Sequence, residues 1–263
     1  MNFLFRAQAF IRFFFKSKGL HRVHSPFVFR LYEDLIRSND CFYAFEELEE
    51  LRTRLLADQR IIERIGIGAQ LKPKPLPLGE IARRTLATDH WCQIYFKLVA
   101  HFKPETILEI GTGVGLCTLY LAEAHPSARV ITLEGDPAIA AVAREQFEKR
   151  KHLNIELVEG LFDVTLPDVL KKNPSPQFIV VDGNHTYAAT MRYFEWLLPH
   201  VSEDTILIFD DIHWSAEMER AWKEIKQHAE VQQTIDFFRV GMVFFRKGQV
   251  KQHFILRSSF IGI

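Results

Sequence analysis

Residues 107–122 read ILEIGTGVGLCTLYLA. A short β-prone apolar run carrying Glu109 leads into glycines at three alternate positions, Gly111, Gly113 and Gly115, and then into the start of a helix. A strand that turns sharply into a helix while its backbone lies bare against a ligand needs torsional freedom and no side-chain bulk, and glycine supplies both. The segment predicts a nucleotide-type cofactor site at a strand–helix turn.

The residues around the glycines narrow the cofactor. A dinucleotide fingerprint needs G-x-G-x-x-G; here Leu116 holds the position of the third glycine, which falls one residue early at Gly115. Glu109 would also place a carboxylate beside a pyrophosphate, a repulsion that a low-dielectric cleft screens poorly. A Rossmann-like oxidoreductase is disfavoured on both counts. A cationic, phosphate-free cofactor such as S-adenosylmethionine suits the carboxylate better, and its ribose hydroxyls want an acidic acceptor at the end of the next strand. Glu134, closing VITLE at 130–134, is placed for that role.

Further along, IELVEG at 155–160, FIVVDGNH at 178–185 and TILIFDDIH at 205–213 each end an apolar run on polar residues. This ordered series resembles the class I S-adenosylmethionine-dependent methyltransferases over roughly residues 90–250. The resemblance implies an α/β, Rossmann-like fold with a seven-stranded, mostly parallel sheet. It also implies cofactor contacts from Glu109, Gly111, Thr112, Gly113, Gly115, Glu134, Gly160, Leu161, Phe162 and Asp182, with Asp163 close by.

Alternation of helices and strands after residue 80 agrees with a parallel sheet. TIDFFRVGMVFFR at 234–246 holds two aromatic-rich runs too close for a helical crossover, so they pair antiparallel as a C-terminal hairpin. Residues 1–80 read as a helical N-terminal extension and linker, and 81–263 as the methyltransferase domain. In the extension, FEELEELRTRLLADQRIIERI at 45–65 is amphipathic, and IGIGAQLKPKPLPLG at 65–79 is a Gly/Pro-rich loop.

The strand ends at 182–213 carry Asp182, His185, Asp210, Asp211 and His213. Clustered carboxylates raise one another's pKa unless a cation shares the site, which suggests a metal. The pattern is similar to the catechol-type O-methyltransferases, and the resemblance puts a divalent ion, Mg²⁺ by its preference for oxygen ligands, on Asp182, Asp210 and Asp211. His185 stands where that family has a lysine, and Asp211 where it has an amide. With Asp182, His185 is the candidate catalytic pair, the imidazole acting as general base. Each residue has a plainer alternative. Asp182 could hold a turn, Asp210 and Asp211 could cap the next element, and His213 reads first as a packed or supporting histidine. Cys117 reads as a small packed hydrophobe, and Phe162 as either adenine-facing or core.

HRVHSPFVF at 21–29 resembles a segment preceding the catalytic domain in an uncharacterised group of bacterial methyltransferases. His21, His24 and Ser25 could lid the site; the simpler alternative is a capped turn in which Pro26 opens a helix and Phe27 and Phe29 anchor to the core. Trp196, Trp214, Trp222 and Tyr187 could wall a planar substrate, although Trp222 lies at core spacing from Met218 and Ile225.

The 263 residues carry 33 basic and 33 acidic side chains, so no global field favours nucleic acid, and no Asn-Pro-Pro-Tyr-like segment follows the fourth strand. The expected acceptor is a small molecule. Cys41, Cys92 and Cys117 show no metal spacing and suit a reducing, cytoplasmic setting. No apolar run approaches the ~20 residues of a membrane span, and basic residues interrupt any candidate signal peptide. Residues 1–32 nonetheless hold six Lys/Arg and no acid among many phenylalanines. Phe3, Phe10, Phe13 and Phe14 recur at near-helical spacing, so a helix packed on its own domain or on a dimer partner is the first reading, and contact with a membrane surface the second. The remaining rival to an enzyme is a non-catalytic S-adenosylmethionine-binding or scaffold protein.

Overall fold

The computed structural model describes residues 3–19, 23–66, 75–150 and 154–258. His21 and most of the Gly/Pro-rich loop lie outside the described residues, as does the side chain of Phe3. The chain divides into two compact units, residues 39–173 and residues 1–38 with 174–263. The boundary expected near residue 80 therefore falls inside the first of these.

In the 39–173 unit, three parallel strands follow one another in the order β1 (Thr106–Ile110), β2 (Arg129–Glu134) and β3 (Ile155–Glu159). Helices α6 (Leu116–Ala124), α7 (Pro137–Lys149) and α8 (Phe162–Lys172) make the crossovers. Strands β1 and β2 are buried nearly throughout and read as continuous apolar runs, the signature of a parallel sheet covered on both faces. The amphipathic stretch forms α3 (Tyr43–Ala57), preceding α4 (Leu78–Thr85) and α5 (Asp89–Phe102). Phe45, Leu48, Leu51 and Leu55 of α3 share one core cluster with Leu116, Leu119 and Tyr120 of α6. The Tyr120 hydroxyl also donates to Glu49 at 2.5 Å. Helix α3 is thus part of the core behind the glycine-rich turn rather than a separate extension.

In the other unit the strands run in the order β8 (Gln252–Ile255), β6 (Gln233–Asp236), β7 (Gly241–Phe244), β5 (Ile206–Phe209) and β4 (Phe178–Val181). β4 and β5 are parallel, and β6 and β7 form the expected antiparallel hairpin. β8, parallel to β6, is an addition. Besides a short antiparallel pairing of Ile61–Ile62 with Leu76–Pro77, the described residues hold eight strands where seven are expected. β8 carries the polar-rich QHFI, whose pattern is too short and too mixed to announce a strand. Helices α9 (Tyr187–Leu197) and α10 (Ala216–Gln227) are capped by Thr186 and Ser215.

At the N-terminus, α1 (Phe3–Lys16) packs on its own unit: Ala9 and Phe13 cluster with Phe238, and Phe10 meets that ring edge-on at 5.1 Å. Ser25 caps α2 (Pro26–Leu31) by accepting from the Val28 amide, and also accepts from Gln233 at 3.1 Å. That is the capped-turn alternative rather than a lid. Phe27 meets Phe244 edge-on at 5.0 Å, but Phe29 is 41% exposed, and Val28 and Leu31 take the anchoring role instead.

Candidate active site: a glycine-rich turn and an arginine-clamped acid cluster

The glycine-rich turn is built from the end of β1. The Gly111 and Thr112 amides both donate to the Leu133 carbonyl at 3.0 Å, stitching the turn to β2. Gly115 has φ of 87°, and a Cβ there would sit 2.8 Å from the Phe147 ring of α7, so helix and turn approach too closely for any side chain. Gly113 differs. Its φ is 54°, yet a Cβ would meet nothing nearer than Thr85 at 3.8 Å. The backbone here has room beside it without a close clash, as a cofactor cradle requires.

Glu134 closes β2 and is buried. It accepts from the Gly113 amide at 2.9 Å and the Asp136 amide at 3.0 Å. Burial pushes its pKa up, while the amides of Asp136, Gly113 and Gly135 pull against that shift. Even three amide donors use only part of a carboxylate's four acceptor sites, so Glu134 retains capacity for hydroxyl donors. Beyond it, Gly160 donates to the Glu134 carbonyl at 2.9 Å and has φ of 134°. Leu161 is 52% exposed at the start of α8, and Phe162 is half-buried.

Glu109 has a different place from that expected. Its carboxylate is 1% exposed and accepts from the Thr118 hydroxyl and from the Thr132 hydroxyl at 2.6 Å. Thr132 also meets Thr112 at 2.6 Å. Glu109 therefore ties β1, β2 and α6 together.

The acid cluster lies in the other unit. Asp210, at the end of β5, is 2% exposed. Arg239, in the turn of the β6–β7 hairpin, donates to it from Nε at 3.1 Å and 3.4 Å and from Nη2 at 3.0 Å. Arg239 Nε also lies 3.8 Å from Asp211 Oδ1. Burial and the neighbouring charges of Asp182 and Asp211 push Asp210 up to about 7 against the pull of Arg239. Burial alone would lower the Arg239 pKa, but the three carboxylates hold it well above its ordinary value. Asp211 has φ of 54°, an uncommon conformation for a non-glycine residue, and its amide donates back to Asp210 at 2.9 Å.

These residues do not fit the divalent ion expected on Asp182, Asp210 and Asp211. Among the described residues no group of three or more His, Cys, Asp or Glu side chains is arranged to hold a metal. The physical reason is Arg239: the acids do need a cation, and the chain supplies it. Sequence reasoning quotes Arg239 only as part of a hairpin. The one available signal is a lone arginine in an otherwise apolar FFRVGMVFF run.

His185 Nε2 lies 3.4 Å from Asp182 Oδ1. Burial lowers the imidazole's pKa, but the hydrogen bond and charge of Asp182, with the charges of Asp211 and Asp210, outweigh it and carry it up to about 9. A pKa carried that high favours the imidazolium at neutral pH and moves any general-base role of His185 to alkaline pH. His213 stacks on Phe238 at 5.3 Å and meets Asp236 at 3.0 Å, the supporting role expected of it. Asp236 also accepts from the Trp222 indole at 3.0 Å. Trp222 is 1% exposed and belongs to the core, while Trp214 is 37% exposed beneath Arg6.

Residues 108–212 match the family model described as a methyltransferase domain. Over that stretch the chain is similar to methyltransferase domains. Catechol O-methyltransferase of Niastella koreensis is 29% identical to it over 122 residues, 45% of this chain and 54% of that protein. The "Probable ribosomal RNA small subunit methyltransferase A" of Methanosphaera stadtmanae is 34% identical over 105 residues, 40% and 35% of the two chains. The chain thus spans about half the length of the first relative and about a third of the second. The crystal structure of the Podospora anserina methyltransferase PaMTH1, bound to S-adenosylhomocysteine, shares the fold of this chain. Its TM-score is 0.61 at 17% identity, over 86% of this chain and 97% of that one.

Proposed function

We propose that the protein is an S-adenosylmethionine-dependent methyltransferase that methylates a hydroxyl of a small molecule, and that it does so without a divalent metal. The observation that carries the cofactor assignment is the pairing of Gly113 and Glu134: glycine backbone with room beside it, next to a buried carboxylate with acceptor capacity left over. Gly111, Thr112 and Gly115 shape the turn, Glu134 accepts the ribose hydroxyls, and Gly160, Leu161 and Phe162 attend the adenine. When bound, S-adenosylmethionine supplies a methyl carbon already activated by a sulfonium. The protein's task is then to orient the acceptor oxygen and manage its proton.

Asp182 and His185 are the proposed proton-handling pair. As an imidazolium, His185 donates to an acceptor oxygen and favours its anionic form; as its pKa of about 9 is approached, it takes the proton itself. That value lies near the ~10 of a phenol, so a phenolic acceptor shares its proton with His185 more evenly than an aliphatic alcohol does. The name of the N. koreensis relative supports the same class.

Calorimetric titration of S-adenosylmethionine and S-adenosylhomocysteine, repeated with a chelator, tests both halves. Binding is expected to be indifferent to chelation and at least tenfold weaker in Glu134→Ala and Gly113→Arg. Unaltered affinity in both variants would overturn the cofactor assignment. Binding or turnover that fails on chelation and returns with Mg²⁺ would overturn the metal-free reading.

A further inference from the structure

Helix α1 buries only one of its faces. With Ala9 and Phe13 turned inward, the opposite side carries Leu4, Ile11 and Phe15, which are 71%, 55% and 81% exposed. Their spacings of seven and four residues place them on one stripe. Phe14, 39% exposed, extends the stripe at its C-terminal end. A helix fixed to its domain by one apolar face normally shows water a polar one; on this helix the outer stripe carries three large apolar side chains around the exposed Gln8.

The margin of the stripe is basic. Lys16 and Lys18 are exposed, and Arg257, also exposed, lies with its guanidinium 3.9 Å over the Phe14 ring while donating to Ser17 at 2.7 Å and to the Phe14 carbonyl at 3.0 Å. Lys226 feels Lys16 as a like charge. The acid placed here is Glu219, which is committed to Arg12 at 2.9 Å. At the same end of α1 is an open cavity of about 590 Å³, and Phe15, Lys16, Lys18, His24 and His253 are among its lining. Aromatic and aliphatic side chains projecting beside a cationic recess match an interface of acyl chains and anionic headgroups.

We infer that α1 docks the protein on an anionic lipid surface, inserting Leu4, Ile11 and Phe15 among acyl chains while Lys16, Lys18 and Arg257 engage headgroup phosphates. A second copy of the chain is a poorer occupant. A two-fold interface through α1 would set each helix's basic margin against its partner's, because α1 contains no acid to answer it. Among the described residues no helix is long and apolar enough to cross a membrane; the attachment inferred is through the surface of α1 and is independent of the methyl-transfer reading.

The test is co-sedimentation of the intact protein with vesicles of phosphatidylcholine alone and of phosphatidylcholine mixed equally with phosphatidylglycerol. Binding is expected only to the mixed vesicles, to fall as salt rises, and to weaken at least tenfold in Phe15→Ser and in the pair Lys16→Glu/Lys18→Glu. All three residues are exposed, so the thermal midpoint should stay at the wild-type value, which separates lost docking from lost folding. No sedimentation with mixed vesicles would overturn the inference. So would equal binding by wild type and Phe15→Ser, or a dimer in analytical ultracentrifugation that Phe15→Ser dissolves.

Discussion

Two buried carboxylates, each ending a β-strand, are satisfied in different ways. Glu134 is held by neutral donors, the amides of Gly113 and Asp136. Asp210 is held by a charge, the guanidinium of Arg239. Amide donors leave a carboxylate's negative charge uncancelled and some of its acceptor sites open, so Glu134 still favours an incoming cation and incoming hydroxyls. A forked guanidinium cancels the charge and takes both oxygens. The difference separates a residue prepared for a ligand from one whose ligand is already built into the chain, although the sequence presents both as acids at strand ends.

Removing the built-in cation gives the largest expected effect. Arg239→Ala leaves Asp210 buried beside Asp182 and Asp211 without its guanidinium partner, and breaking a buried pair from one side costs about 3–5 kcal/mol. Urea unfolding should show a loss on that scale, with Asp210→Asn in the same chain recovering part of it. Arg239→Ala should also acquire affinity for Mn²⁺, visible as loss of the free-ion signal in electron paramagnetic resonance, whereas the wild type should leave that signal unchanged. Stoichiometric Mn²⁺ binding by the wild type would erase the contrast between the clusters.

The next effects sharpen the other side of the comparison. Glu134→Gln keeps the shape but removes the charge, and losing charge-assisted bonds of about 1.5–3 kcal/mol predicts roughly ten- to hundredfold weaker binding of S-adenosylhomocysteine. Within the turn, two glycines should part company. Gly115→Ala drives a methyl into Phe147 at a left-handed position and should destabilise the fold by about 1–3 kcal/mol. Gly113→Arg shares the left-handed strain, at φ of 54°, but has room for its Cβ, so its thermal midpoint should move less while ligand affinity collapses. Equal stability losses in the two variants would mean that the room beside Gly113 is not a binding surface.

Much of this was legible in the sequence, for identifiable reasons. Buried parallel strands are continuous apolar runs that end where the chain meets solvent or ligand, so VITLE, FIVV and ILIF announce both their own extent and the acids that follow them. The glycine pattern is legible because positive φ and close approach leave almost no other residue. Arg239 was not legible: it reaches Asp210 across 29 residues of sequence, and only the geometry of a hairpin turn decides which cation an acid cluster meets. Charge arithmetic correctly demanded a cation and could not say that it was covalently attached. The core membership of α3 was hidden for a related reason, since an amphipathic helix declares that it has a partner without declaring which.

The smallest predicted effect concerns His185, where the acid cluster acts on a neighbour. Its folded pKa, about 9, stands above the ordinary 6.5. The stabilisation from binding that proton is fully present below pH 6.5 and is lost as pH rises through 9. A thermal midpoint followed across that window should decline, and Asp182→Asn, by removing the carboxylate 3.4 Å from Nε2, should flatten the decline. The same substitution lowers the imidazole's pKa, so the alkaline rise in kcat that marks His185 as a base should move to lower pH in Asp182→Asn. A rise that stays in place after the substitution would assign the titration to another group, the acceptor hydroxyl foremost, and would leave Asp182 with the turn it closes after β4.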